Sequence, residues 1–177
     1  MSIRVGSFFN ILIQGGFARE PELTPDALAL DLCHEFGHGY GGEPLDKSNI
    51  EPFSLEGQDD YYGAKICMPQ ILKTFSNPLE DSEVTPFMQK KCAEFAHSDS
   101  EKALICVRQL AAALSLTQFF EAYRRKQGVI ETPASFETPS TVVVNSTLQN
   151  YPPPKCRLDT YLAGTLQLPR PSCWYWE

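Results

Sequence analysis

Thr24-Pro25-Asp26-Ala27-Leu28-Ala29-Leu30-Asp31-Leu32-Cys33-His34-Glu35-Phe36-Gly37-His38-Gly39 is the stretch from which the rest of this chain is read. It opens as helices open, with Thr as N-cap, Pro at the first helical position and an acid in the first turn. Strong helix formers follow. Gly39-Tyr40-Gly41-Gly42 and then Pro44 stop it. A helix is predicted over 25–39. On that helix His34 and His38 lie four residues apart, so their imidazoles share one face and can reach one metal ion. Glu35 stands beside that face, where a carboxylate can take a proton from water at the metal. Two ligands and a general base in five residues are the chemistry of H-E-x-x-H.

A catalytic metal site of this kind needs a third protein ligand and one open position. Cys33 points about 100° away from His34 on the helix and is expected to remain a buried thiol. Glu56 is the better candidate. It opens Glu56-Gly57-Gln58-Asp59-Asp60-Tyr61-Tyr62-Gly63-Ala64-Lys65-Ile66-Cys67, which reads as a second helix spanning 55–75, with a kink expected at Pro69 and a break at Asn77-Pro78. Asp60 follows Glu56 by four residues, on the same face. Metal-bound imidazoles commonly donate their other N–H to a carboxylate, which fixes the tautomer, and Asp60 suits that role. A donor for the oxyanion is also required. Tyr61, Tyr62, His97, Arg157 and Tyr161 are the candidates, and the residues alone do not choose among them. Arg157 with Asp159 reads as a structural ion pair.

These residues resemble the gluzincin branch of the zincin metallopeptidases, whose ligand set is His, His, Glu. A closer resemblance, over about residues 9–176, is to a group of exported bacterial proteins described as zinc metallopeptidases of poorly defined role. It rests on Gly15-Gly16-Phe17-Ala18-Arg19, Thr24-Pro25-Asp26-Ala27-Leu28-Ala29-Leu30, Cys33-His34-Glu35, Gly41-Gly42-Glu43-Pro44, Glu56-Gly57-Gln58, Asp60-Tyr61 and Cys156-Arg157-Leu158-Asp159-Thr160-Tyr161. The chain departs from it at Gly39-Tyr40, at Asp59, where an alanine-like residue is usual, and at Gln167, where a cysteine is usual. The resemblance implies an α+β, zincin-like fold: one mainly helical domain over 1–177, with a small sheet and a strand along the cleft. It implies one zinc ion on His34, His38 and Glu56, and hydrolysis of peptide bonds through a zinc-bound water with Glu35 as general base. Two other readings are an inactive zinc-binding module and a zinc hydrolase of a cell-wall amide.

Composition narrows the partners. Fifteen Lys and Arg against 22 Asp and Glu give a net charge of −7, which disfavours nucleic acid and anionic membrane surfaces. A peptide or protein substrate remains, and oligomeric state is left open. No apolar run of eighteen residues points to a membrane span. Residues 7–14 alternate as a strand does, and the opening segment lacks the pattern of a signal peptide. Six cysteines without C-x-x-C spacing point to disulfides in an oxidising compartment. A secreted or periplasmic mature domain, its signal peptide absent from this chain, is therefore expected.

Further helices are predicted over 85–97 and 100–126, the latter with a core face of Ala103, Leu104, Val107, Leu110, Ala111, Leu114 and Phe119. Cys92 and Cys106 each lie seven residues from Asp99, in the turn between these helices, so an antiparallel hairpin sets them opposite each other. Cys156 and Cys173 bracket the C-terminal segment and can close it. A short strand is expected at 141–144, and Pro152-Pro153-Pro154 is a stiff connector.

Overall fold

The computed structural model describes residues 2–5, 8–46, 52–75 and 84–177. The Asn77-Pro78 break lies outside them. The protein is mainly helical with small antiparallel sheets, an α+β arrangement. Strand β1 (Ser2–Val5) pairs with β2 (Phe8–Ile11), Ser2 facing Ile11 and Val5 facing Phe8. The chain then passes a 3₁₀ turn (Phe17–Arg19) into α1 (Pro25–Tyr40). Thr24 caps α1 as expected, its hydroxyl accepting from the Ala27 amide at 3.1 Å. Ala27, Leu30, Cys33 and Gly37 recur at helical spacing, and all four are buried.

The segment after α1 is more than a loop. Leu45–Asp46 (β3) pairs with Phe53–Ser54 (β4). Helix α2 (Glu56–Tyr62) follows, then a π-helical turn (Gly63–Cys67), then α3 (Met68–Thr74). The irregularity expected at Pro69 thus lies just ahead of it. Proline lacks an N–H and crowds the preceding turn; widening that turn lets Met68 N–H reach the Gly63 carbonyl. The Ala64 carbonyl accepts instead from buried Gln109 Nε2 at 2.5 Å.

Helices α4 (Pro86–Ala96) and α5 (Ser100–Lys126) form the expected hairpin. His97 ends α4 in the left-handed conformation, at φ 49°, and Asp99 caps α5. Helix α5 is the central element. Most of the predicted core face packs inward, with Leu110 and Ala111 buried and Val107, Leu114 and Phe119 against the core, but Leu104 is 55% exposed, and the buried face widens to Ile105, Cys106, Ala112, Ala113 and Leu116. By length and composition α5 could cross a membrane, but this apolar face is packed into the protein core. Arg108, on α5, grips the Asp26 carboxylate with two bonds of 2.8 Å and donates to the Phe75 carbonyl at 2.8 Å, tying α5 to the start of α1 and the end of α3.

Two expectations about the last third of the chain need correction. Residues 141–144 form no strand: Val142 and Val143 are exposed, and the segment is held by single bonds such as Val144 N–H to the Ser172 carbonyl at 2.9 Å. The proline run is partly a helix start, with Pro154 in the first turn of α6 (Pro154–Thr165). Cys92–Cys106 and Cys156–Cys173 are disulfides, as predicted. Cys33 is not a free thiol; it bonds Cys67 and fastens α1 to the π-helical turn. On a helix, 100° of rotation from His34 carries Cys33 away from the ligand face and onto the neighbouring element.

Candidate metal centre

The site forms where α1 and α2 approach almost backbone to backbone. Gly37 makes this possible. A Cβ there would lie 2.7 Å from Asp59 Cα, so any side chain would push α2 away. A Cβ on Gly63 would lie 3.2 Å from the His34 backbone nitrogen, a tight but less severe approach. At this separation the first turn of α2 presents Glu56 to both imidazoles of α1. Glu56 Oε2 is 3.2 Å from His34 Nε2, and Glu56 Oε1 is 4.0 Å from His38 Nε2. The two rings stand 5.1 Å apart, nearly perpendicular. His34, His38, Glu56 and Asp59 each offer a ligand atom within 4.8 Å of the others and could hold a metal ion.

Each imidazole is held from behind by a different carboxylate. His34 Nδ1–H donates to Asp60 Oδ1 at 2.8 Å, as the i, i+4 spacing from Glu56 predicts. His38 Nδ1 lies 2.5 Å from Asp59 Oδ2 and 3.4 Å from the Ser54 carbonyl. Asp59, which the resemblance presents only as a departure, is therefore the partner of the second histidine. With both Nδ1 atoms so engaged, the Nε2 lone pairs face Glu56. Glu56 Oε2 is buried and receives no hydrogen bond. Two acceptor atoms 3.2 Å apart repel each other unless a proton or a cation lies between them, so the donor set fits a metal ion. With Asp59 already engaged by His38, the two imidazoles and Glu56 make a three-ligand set suited to a divalent metal ion.

Asp60 is the most constrained group here. Arg157 donates Nε to its Oδ2 at 2.7 Å and an Nη to its Oδ1 at 2.6 Å, and Tyr161 donates its hydroxyl at 2.6 Å. The Arg157 guanidinium lies 3.9 Å from the centre of the Phe120 ring. The ion pair read from sequence as Arg157–Asp159 is thus Arg157–Asp60; Asp159 accepts from the Ser140 amide at 2.7 Å. Residues two apart on a helix, as Arg157 and Asp159 are on α6, point to different faces. Burial would raise the Asp60 pKa, but Arg157 and His34 outweigh it and hold the carboxyl well below its usual range. Burial pushes Asp59 up to about 6, against the bond from His38. Burial would lower His34, yet Asp60 and Glu56 raise it well above the ordinary imidazole value. His38 is raised too, its loss of solvent outweighed by Asp59 and Glu56.

Glu35 is buried and opens onto a cleft of about 500 Å³, whose walls include Leu12, Ile13 and Gln14 after β2, Asp31 on α1, and Tyr151. Among the residues read from sequence as oxyanion donors, Tyr161 and Arg157 are engaged by Asp60. The Tyr61 hydroxyl donates to the Leu168 carbonyl at 2.6 Å. Tyr62 is half-buried at the end of α2, and His97 sits in the α4–α5 turn. The tyrosine that reaches the site is Tyr151, which sequence reading passed over. It lines the Glu35 cleft, and burial first, then the charge of Glu56, raises its pKa. The only local signal is its position just before the proline run that starts α6.

No family model matches this chain, and no curated protein or solved structure matches it significantly.

Proposed function

We propose that this chain is a zinc-dependent peptidase of the zincin kind, in its gluzincin branch, acting outside the cytosol. The observation that carries this reading is the convergence of His34 Nε2, His38 Nε2 and the Glu56 carboxylate next to Glu35, which opens onto a cleft. A purely structural zinc site has no need of a carboxylate beside its ligands that opens onto a cleft. Three disulfides among the described residues agree with an oxidising compartment.

His34, His38 and Glu56 would hold the zinc ion, which when bound would supply Lewis acidity toward a substrate carbonyl and make water easier to deprotonate. Glu35 takes the proton of the attacking water and returns it to the leaving amine. Tyr151, which lines the cleft onto which Glu35 opens, supplies a hydroxyl donor to the oxyanion that develops on the carbonyl. Asp60 and Asp59 keep each imidazole in the tautomer that offers Nε2. Arg157 and Tyr161 keep Asp60 in place, and Gly37 keeps α2 close enough for Glu56 to reach.

The test is cleavage of an unfolded protein by wild type and Glu35→Gln, each loaded with zinc to the same measured stoichiometry. Glu35→Gln should retain zinc and lose about 10²- to 10⁴-fold in rate. If neither protein cuts while both hold one zinc, the peptidase reading fails.

A further inference from the structure

A cavity of about 360 Å³ shares no wall residue with the metal centre. It lies where the π-helical turn and α3 meet the first turns of α5 and the end of α6. Three lysines line it, each from a different element: Lys65 from the π-helical turn, Lys73 from α3 and Lys102 from α5. They are three of the eight lysines in a chain whose acids outnumber its bases.

Elsewhere the cations of this fold are ion-paired: Arg108 with Asp26, Arg124 with Glu131, Lys126 with Glu20 and Arg157 with Asp60. The cavity lysines have neutral partners instead. Lys65 Nζ donates to the Tyr61 hydroxyl at 3.2 Å. Lys102 Nζ donates to the Phe95 carbonyl at 3.1 Å and lies 3.9 Å from the centre of the Phe95 ring. Asp99 and Glu101 also line the cavity, but they serve the start of α5. Asp99 Oδ1 accepts from the Lys102 amide at 3.0 Å, and Glu101 lies in the first turn, where the helix dipole favours an acid. Among the described residues, no carboxylate forms an ion pair with any of the three ammonium groups.

A second observation points the same way. Thr165, in the last turn of α6, walls the cavity and is 4% exposed, and its hydroxyl finds no partner among the described residues. A buried hydroxyl without a partner costs free energy. Ammonium groups only donate, and this hydroxyl has a proton to donate. Charged donors in excess, beside a hydroxyl that lacks an acceptor, fit an anion.

We propose that this cavity binds a small, multiply charged oxyanion, a phosphate or a polycarboxylate, held by Lys65, Lys73 and Lys102 with Thr165 donating its hydroxyl. The site is independent of the peptidase reading, because no residue of the metal centre takes part.

The test is titration of the metal-free full chain with inorganic phosphate and, separately, with tricarballylate, followed by NMR. Removing metal keeps either anion from coordinating it. Saturable shifts are expected at the backbone signals of Lys65, Gln109 and Gln167, and not at those of His34 and His38. Added sodium chloride should weaken binding, because partly exposed charges are screened. Lys65→Met, Lys73→Met and Lys102→Met each keep the stem and remove the charge, and each should weaken binding about two- to fivefold. Thr165→Val removes the hydroxyl at nearly constant shape. It should weaken binding about tenfold and leave the anion-free protein no less stable, because the hydroxyl has no bond to lose. Saturation by one anion alone supports the site and identifies its ligand as phosphate or carboxylate. Saturation by neither, shifts confined to His34 and His38, or an affinity unchanged by the lysine variants or by Thr165→Val overturns it.

Discussion

His34 and His38 belong to one motif on one helix, yet the protein holds them in different ways. Asp60 behind His34 receives bonds from α1 and α6 at once, and it is fully buried with its charge balanced by Arg157. Behind His38, Asp59 is equally buried but has no cation of this kind, and the ring is half-buried beside the Ser54 carbonyl of β4. The opposite shifts of the two carboxyls follow: Asp60 is driven down by Arg157 and His34 against its burial, and Asp59 is driven up to about 6 by its burial. Two adjacent aspartates of one helix thus do similar geometric work at different energetic cost. The difference comes from α6, which supplies Arg157 and Tyr161 to one side only.

The largest effect should come from breaking the His34 side. Asp60→Ala leaves Arg157 charged, buried and unpaired, which should cost about 3–5 kcal/mol in denaturant unfolding. It should also weaken zinc about 10- to 100-fold in chelator competition. Replacing the pair together, Asp60→Leu with Arg157→Met, should return most of the stability but not the zinc affinity, because an apolar pair removes the stranded charge and still leaves His34 Nδ1 unheld. Equal losses for Asp60→Ala and Asp59→Ala would erase the proposed asymmetry.

Gly37→Ala comes next. It strikes both sides by pressing on the Asp59 backbone, and overpacking of this kind costs about 1–3 kcal/mol. Zinc affinity should fall as well, whereas Gly16→Ala, with open space around it, should leave both measurements near wild type. Asp59→Asn should be milder still, losing about tenfold in zinc affinity. The metal-free variant should be no less stable than wild type at pH 7. The Asp59 pKa is raised from 3.8 to about 6 in the folded state, so its ionisation opposes folding increasingly as pH rises across that window, and the opposition persists above it.

The smallest effect is a pH trend. His34 and His38 are raised above 6.5 in the metal-free fold. Their protonation therefore stabilises it fully below that value, and the benefit is lost as pH rises through the higher folded values. Zinc bound as proposed would replace those protons. The rise in unfolding temperature on adding zinc, against a chelated control, should grow from pH 5.5 to pH 8.5. A flat or opposite trend would show that the histidines do not bind both proton and metal.

Local signals served well where chemistry and structure share a short stretch of chain. The helix expected over 25–39 spans Pro25–Tyr40, and the 100–126 helix has the same bounds as Ser100–Lys126, because caps and stop residues are local. The Cys92–Cys106 bond followed from hairpin symmetry, and Glu56 with Asp60 from i, i+4 spacing. Failures came where partners are distant. Cys33–Cys67 depends on how α1 packs on the π-helical turn. Arg157 was paired with its sequence neighbour Asp159 because nothing local points to Asp60, 97 residues away. Tyr151 lies in a stretch with no periodicity.

The sequence by itself determined the two histidines, the glutamate beside them and the helix that sets them one turn apart, because helical geometry is fixed by the backbone. Only the tertiary structure decided which carboxylate stands behind each imidazole and that Tyr151 lines the cleft onto which Glu35 opens. Those facts depend on the close contact of α1 with α2 at Gly37 and on the docking of α6 against α2 and α5. Contacts between segments far apart in sequence are set by packing, and neither period nor spacing along one segment encodes them.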